Sequence, residues 1–512
     1  MTAPFRVIML ASLGIAVLII AGCGGGGHSG TGVGSIEGYV FGQVATGAAA
    51  QTPSIAVGRG PTPPAGYTPL AGAVVMVTGS ATIATSDAQG HFRIDGVLAG
   101  VQTVTISHSG YLTSVVQVTV VAGQVATVQD ALLQPSQRKW TVLVYLNADN
   151  DLEQFGIEDV NEMEEVGSSP EVDIVVQMDR IAGYDTSNGN WTGCRRMRII
   201  KDSDPAIINS PVLQDMGPVD MGDWRVLHDF ITWGMTTFPA EHYMLVMWNH
   251  GAGWRSAKAA ATPVSPVTRG VSYDWTSGTN ISVVDLPRAL DVQPRLDIIA
   301  WDASLMQMVE VGYQIRHYGR IMVGSEESPP GSGYAYQTFL ASLVASPTML
   351  PDELARDIVV QTLDYYTTAY GYSPPLTQSA VSLDKMDSVA LALDGFARAL
   401  ATAMPTYSAQ ITSARTQAQS YAYPDNKDLY HFAELISQLV PKDNVVQSAQ
   451  TVMATITDAV FAEAHGDPRR NSHGLAIFIP SSTNYQYYRL SYQQLELSAN
   501  AAWDDWLGVS PP

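Results

Sequence analysis

Cysteine is nearly absent from the 512-residue chain: only Cys23 and Cys194 occur. Cys23 sits in an export-type segment, so no pair remains for an internal disulfide and the fold must be held by its core. Positive charge is also scarce. Against 48 Asp and Glu stand 27 Lys and Arg, a formal net charge of −21. That balance argues against nucleic acid, or an anionic membrane face, as partner. The acids form no run, so they read first as a solvated surface, one that also attracts cationic peptides. The apolar run near the start, Val7 to Ile20, is too short for a comfortable membrane span. Apolar residues themselves are plentiful. At 46 % of the chain they suffice for two or three domains with real cores.

Residues 1–22 carry one arginine, Arg6, then the apolar run and small residues, which is the pattern of a signal peptide. Ile20-Ala21-Gly22-Cys23 resembles a bacterial lipobox, which implies lipid on Cys23 and attachment to a membrane through it. Gly24, in place of aspartate after that cysteine, points to an outer-membrane lipoprotein of the cell envelope. Residues 23–35 form a glycine-rich tether. From 36 to 135 the texture is all-β, with β-branched runs such as Thr103–Ser107 and Ser114–Val120 broken by Gly, Asp and Pro. Pro69–Val74, Ser86–Phe92 and Gly110–Leu112 resemble the carboxypeptidase regulatory-like β-sandwich. No catalytic constellation stands out in it, so a spacer or adhesion role is expected.

After a linker near Leu133–Arg138, strands and helices alternate from 139 to 508, which signals a mainly parallel sheet. Strands are expected at Thr141–Asn147, Val172–Met178, Tyr243–Asn249, Leu296–Trp301, Ile321–Ser325, Gln378–Leu383 and Leu475–Pro480. Helices are expected at about 151–166, 225–237, 305–317, 351–370, 385–404, 428–440 and 444–465. Two strand ends hold chemistry. Tyr243–Asn249 runs directly into His250-Gly251-Ala252-Gly253, and Leu296–Trp301 into Asp302-Ala303-Ser304. Carboxyl ends of parallel strands share one edge, where open α/β sheets place reactive groups. A histidine there serves equally well as a cap or a core residue, and Asp302 equally well as an Asx cap.

The motifs W-N-H-G-A-G-W, D-A-S-L-M-Q-M-V-E-V and S-E-E-S-P-P-G-S-G-Y, together with Val142–Leu152 and Asp220–Asp223, resemble the clostripain family of cysteine endopeptidases. The resemblance implies a caspase-like α/β fold and proteolysis after Arg or Lys. It implies His250 as general base, position 304 as nucleophile, and the amides of Gly251 and Ser304 as oxyanion hole. Asp302 would be the acid that takes a basic side chain of a peptide or protein substrate. Members of the family can require Ca²⁺; Asp149, Asp151, Glu326 and Glu327 are the oxygen-bearing candidates here. The family pattern is Asp-Ala-Cys-Leu-Met, and this chain has Ser304 at the cysteine. A hydroxyl carries no ready anion and needs its proton removed during attack, whereas a thiol near a histidine is already part thiolate. Three readings follow: an introduced inactivating change, a silent pseudo-protease that binds basic peptides at the cell surface, or a working serine variant. The retained export signal argues against the first. Cys194, outside these motifs, is expected to be structural.

Overall fold

The structure is a computed structural model and describes residues 32–43, 62–80, 82–108, 111–134, 138–256 and 269–511. Cys23, the signal segment and most of the tether lie outside the described residues.

Two domains follow one another, as the alternation of residue types demands. The first is a β-sandwich of a five-stranded and a four-stranded sheet. Its long strand, Val33–Gln43, alternates buried and partly exposed side chains, the period-two pattern of a sheet with one dry face. Ile36, Val40, Phe92, Ile94, Val104 and Ile106 close the core between the sheets. Gly90 ends the Asp87–Gly90 turn at φ 76°, where its amide donates to the Asp87 carbonyl. The sandwich leans on the second domain at the Trp224–Thr237 helix, where the Thr113 hydroxyl donates to the Thr237 carbonyl.

The second domain is built on a nine-stranded sheet. Five central strands run parallel in the order Val172–Arg180, Trp140–Ala148, His242–Trp248, Leu296–Asp302, Gly319–Gly324. Antiparallel strands flank them: Gly193–Arg198 and Val212–Gly217 on one side, Thr377–Ser382 and Val460–His465 on the other. The central strands read as continuous apolar runs because both faces are covered. On Trp140–Ala148, Leu143 and Tyr145 enter one core while Val142, Val144 and Leu146 enter the other. Each such aliphatic side chain, fully buried, contributes about 1.5–3 kcal/mol. Among the described residues no helix is long and apolar enough to cross a membrane.

Several expected elements shift for identifiable reasons. The helix expected from 305 begins only at Val309, because Leu305 takes φ 66° and Met308 instead bridges to Ala476. The helix expected at 385–404 runs from Met386 to Gln417, carrying Pro405 and bending at Tyr407. The last expected helix stops at Ala459, and Val460–His465 becomes the edge strand of the sheet. Ala476–Phe478 is a strand but leaves the main sheet and pairs with Asn426–Asp428.

Candidate functional site

Because His242–Trp248 and Leu296–Asp302 are parallel neighbours with Trp248 opposite Asp302, the loops that follow them emerge side by side. They touch. A Cβ placed on Gly251 would collide with the Ser304 carbonyl oxygen and lie 3.0 Å from its amide nitrogen. Only glycine lets the two loops close to this distance. One cleft is lined by His250, Asp302 and Ser304, with Trp248, Ser328 and Gly331 among its other walls. The expected nucleophile, base and charge-reading acid therefore share a single opening.

The Ser304 turn is firmly held. Leu305, in the left-handed region, donates its amide to the Glu327 carbonyl at 3.1 Å, and Gln307 donates its amide to the Ser325 carbonyl at 3.2 Å. A β-carbon resists that backbone conformation, and such strain gathers where a turn must present a side chain. The Ser304 hydroxyl lies 2.9 Å from the Ser328 hydroxyl.

His250 is oriented by Asp151, whose Oδ1 lies 2.6 Å from Nε2, and Tyr273 stands edge-on to the ring. The hydrogen bond to His250 is the main force holding the Asp151 carboxyl below its usual range. Asp151 can do this because its turn is tied down. Asn150 donates to the Asn147 and Tyr273 carbonyls, and Asn249 donates to the same two. The expectation that Asp151 serves a metal is thus corrected: its carboxylate faces the histidine.

Asp302 is buried and lines the cleft. Oδ2 accepts from the Tyr334 amide at 3.1 Å and the Tyr336 hydroxyl at 2.9 Å. A Cβ on Gly333 would lie 2.6 Å from both carboxylate oxygens, so that glycine keeps the wall thin. Asp159, which accepts from the Trp248 indole N–H at 2.5 Å, lies in the same region. Burial, followed by the charge of Asp302, pushes the Asp159 carboxyl well up. Burial likewise raises Asp302 to about 6 and Glu162 to about 7. The alternative role for Asp302, as an N-terminal helix cap, is not what it does: Val309 starts the helix and Asp302 accepts from Tyr334 and Tyr336.

Glu326 and Glu327 do not join a ligand set. Glu327 is paired with Arg469 at 2.6 Å and accepts from the Ala422 amide at 2.8 Å. Glu326 is fully buried and pushed up by burial and then by Asp428. Only Asp149, of the four metal candidates, belongs to an acidic group, with Asp179 and Asp274, two residues the motifs do not mark. Cys194 is buried in the core, 3.8 Å from the Met221 sulfur, and burial pushes its thiol up. A thiol so placed is no nucleophile.

Comparisons with known proteins bear on the same region. A clostripain-family profile matches residues 144–508, and a carboxypeptidase regulatory-like domain profile matches 63–134. Clostripain of Hathewaya histolytica is 25 % identical over 221 residues, a stretch that spans 40 % of this chain and 39 % of that protein. A secreted C11 cysteine protease from Bacteroides thetaiotaomicron, solved with an irreversible peptide inhibitor, shares the fold. Its TM-score is 0.52 at 22 % identity, over 72 % of this chain and 99 % of that one. An inactive zymogen C11 protease from Parabacteroides distasonis aligns with TM-score 0.52 at 19 % identity, over 72 % of this chain and 99 % of its own.

Proposed function

The chain belongs to the clostripain family, and on that footing we propose that it is a lipid-anchored endopeptidase of the cell envelope that cleaves after Arg or Lys with Ser304 as nucleophile. The observation that carries this reading is the shared cleft of His250, Asp302 and Ser304.

In this mechanism the basic side chain before the scissile bond enters towards Asp302, whose buried carboxylate pairs with the guanidinium or ammonium group. That contact sets the peptide carbonyl over Ser304. His250 takes the Ser304 proton as Oγ attacks, and Asp151 steadies the imidazolium that forms. A third, acidic member matters more for oxygen than for sulfur, because proton removal and attack must coincide. The oxyanion falls between the Gly251 and Ser304 amides, the two backbones that only glycine allows to meet. The amine leaves with the proton from His250, and water, activated by the same base, releases the acyl group. Cys23 as anchor and residues 36–135 as spacer would hold this domain at the membrane surface.

A second reading has its own support. The Ser304 hydroxyl bonds to Ser328, and the His250 nitrogen Nε2 to Asp151. A site at rest in that state suits a pseudo-protease that binds basic peptides without cutting them. Fluorogenic peptides ending in Arg, Lys or Gln separate the two. Turnover of the basic peptides that disappears in His250→Ala supports the enzyme; saturable binding of the same peptides without turnover supports the binding protein.

A further inference from the structure

Behind Asp302 lie further acids and no base. Trp248, which lines the cleft and stands opposite Asp302 in the parallel ladder, donates its indole N–H to Asp159 at 2.5 Å. Tyr336 donates its hydroxyl to Asp302 and its amide to Glu162, at 2.9 and 3.0 Å. Two aromatic residues thus tie three carboxyl groups into one cluster. Asp159 is 1 % exposed and Asp302 6 %. The other titratable groups around Asp159 bring no positive charge. They are Glu158 on its own helix, Tyr336 at the start of the Tyr336–Ala345 helix, and Tyr365 and Tyr366 on the Pro351–Tyr370 helix. Among the described residues no Lys or Arg is paired with Asp159, Glu162 or Asp302.

Two neighbouring buried carboxyl groups do not both ionise while nothing positive is near; one keeps its proton. Asp302 is the better placed to lose it. An amide and a hydroxyl donate to Asp302, whereas the Trp248 indole is the donor that meets Asp159. Burial and then the charge of Asp302 push Asp159 well up, while Asp302 lies at about 6. Near neutrality the pair therefore carries one negative charge. A guanidinium or ammonium group at Asp302 reverses the sign of the local field, and the reason for Asp159 to stay protonated goes with it.

We propose that Asp159 is a second, specificity-determining acid of the cleft, which holds its proton until a basic side chain reaches Asp302 and then releases it. The proton passes from the Asp159 carboxyl to solvent, and the Trp248 indole N–H stays bonded to the carboxylate that remains. A cation then meets two negative charges from this pair, and a neutral side chain meets one. The preference for Arg and Lys widens without two bare anions having to be held side by side. This role rests on the reading of Asp302 as the acid that takes the basic side chain, and it does not depend on what Ser304 does.

The probe is a peptide capped with agmatine, which carries the guanidinium but no carbonyl to attack. The same peptide capped with pentylamine is the neutral control. Binding to the full chain is followed by calorimetry at about pH 8 in two buffers of different ionisation enthalpy, which counts the protons released. At that pH Asp302 and Glu162, at about 6 and about 7, have already lost most of theirs, so Asp159 is the group left to supply one. Release of about half a proton or more per agmatine peptide is expected, and none with the pentylamine peptide. Asp159→Asn keeps an oxygen for the Trp248 indole, so its melting temperature should match that of the unsubstituted chain. It should nevertheless abolish the release and weaken the agmatine peptide roughly tenfold, the equivalent of one unit of pKa. Glu162→Gln should release as the unsubstituted chain does. Binding of the agmatine peptide without proton release, or with release that persists in Asp159→Asn, would overturn the role of Asp159 and leave that of Asp302 standing. A chain that does not prefer the agmatine peptide to the pentylamine one would overturn both.

Discussion

Two acidic pockets lie on either side of the Asp149–Asp151 turn, and they differ in how their carboxylates are satisfied. In the cleft beside Ser304, Asp302 accepts from Tyr334 and Tyr336. Around Asp179 one buried oxygen has no donor. A satisfied acid tolerates an empty pocket, so it suits a visitor such as a peptide side chain that comes and goes. An unsatisfied one is driven to keep its proton: burial, then the charges of Asp149 and Asp274, raise Asp179 to about 8. Burial, and after it like charge, raises acids in both places, yet hydrogen bonding assigns them different partners.

The contrast breaks most visibly at Ser304. Ser304→Ala should abolish hydrolysis of Arg-ending peptides, a loss of up to about 10⁶ in turnover if Ser304 is the attacking group. Ser304→Cys should raise turnover, as steady-state kinetics on the same peptides would show. At Asp302, the asparagine variant should cost about 2–5 kcal/mol in kcat/KM for Arg-ending peptides, the penalty for stranding a charge. Peptides ending in Gln should be far less affected. A variant of the positioning residue, Asp151→Asn, should lower kcat by about 10²-fold through a misdirected imidazole. KM should change little, and Asp151→Glu should restore part of the rate.

The smallest effect is on pH. Asp302 and Glu162 have folded values of about 6 and about 7, both above the ordinary carboxyl range. Groups raised on folding favour the native state when protonated, so their stabilisation is complete at low pH and lost as pH rises through those values. Between neutrality and mild acid the melting temperature should therefore rise by a few degrees, less in Asp302→Asn. Cleavage after Arg should move the opposite way and fall below about pH 6 as Asp302 takes up its proton. Parallel trends in stability and cleavage would count against Asp302 as the acid that receives the basic side chain.

Much of this was legible in the sequence. Apolar runs gave the central strands, and those runs placed His250 and Ser304 on one edge, because the carboxyl ends of parallel strands in one sheet share an edge. The motif around Asp302 carried its place in the cleft. What escaped was whatever depends on contacts distant in the chain. Val460–His465 follows a helix without a break and becomes a strand only because Thr377–Ser382 offers an edge. Leu305 carries no local signal for its backbone angle, which the Glu327 carbonyl and the crowded turn impose. Asp151 read as a metal candidate because acids close in sequence look alike; the partner that separates it from Asp149 is 99 residues away. Asp179 ends an apolar strand and gives no hint that Asp149 and Asp274 will meet it.

An activated serine can be seen directly. A diphenyl phosphonate bearing an arginine-like side chain transfers its phosphorus to the attacking oxygen with loss of phenoxide, and the site of attachment is read by peptide mass spectrometry. Attachment at Ser304, lost in His250→Ala and suppressed in Asp302→Asn, is the expected result. An unmodified Ser304 in a folded chain that still binds Arg-ending peptides would contradict it.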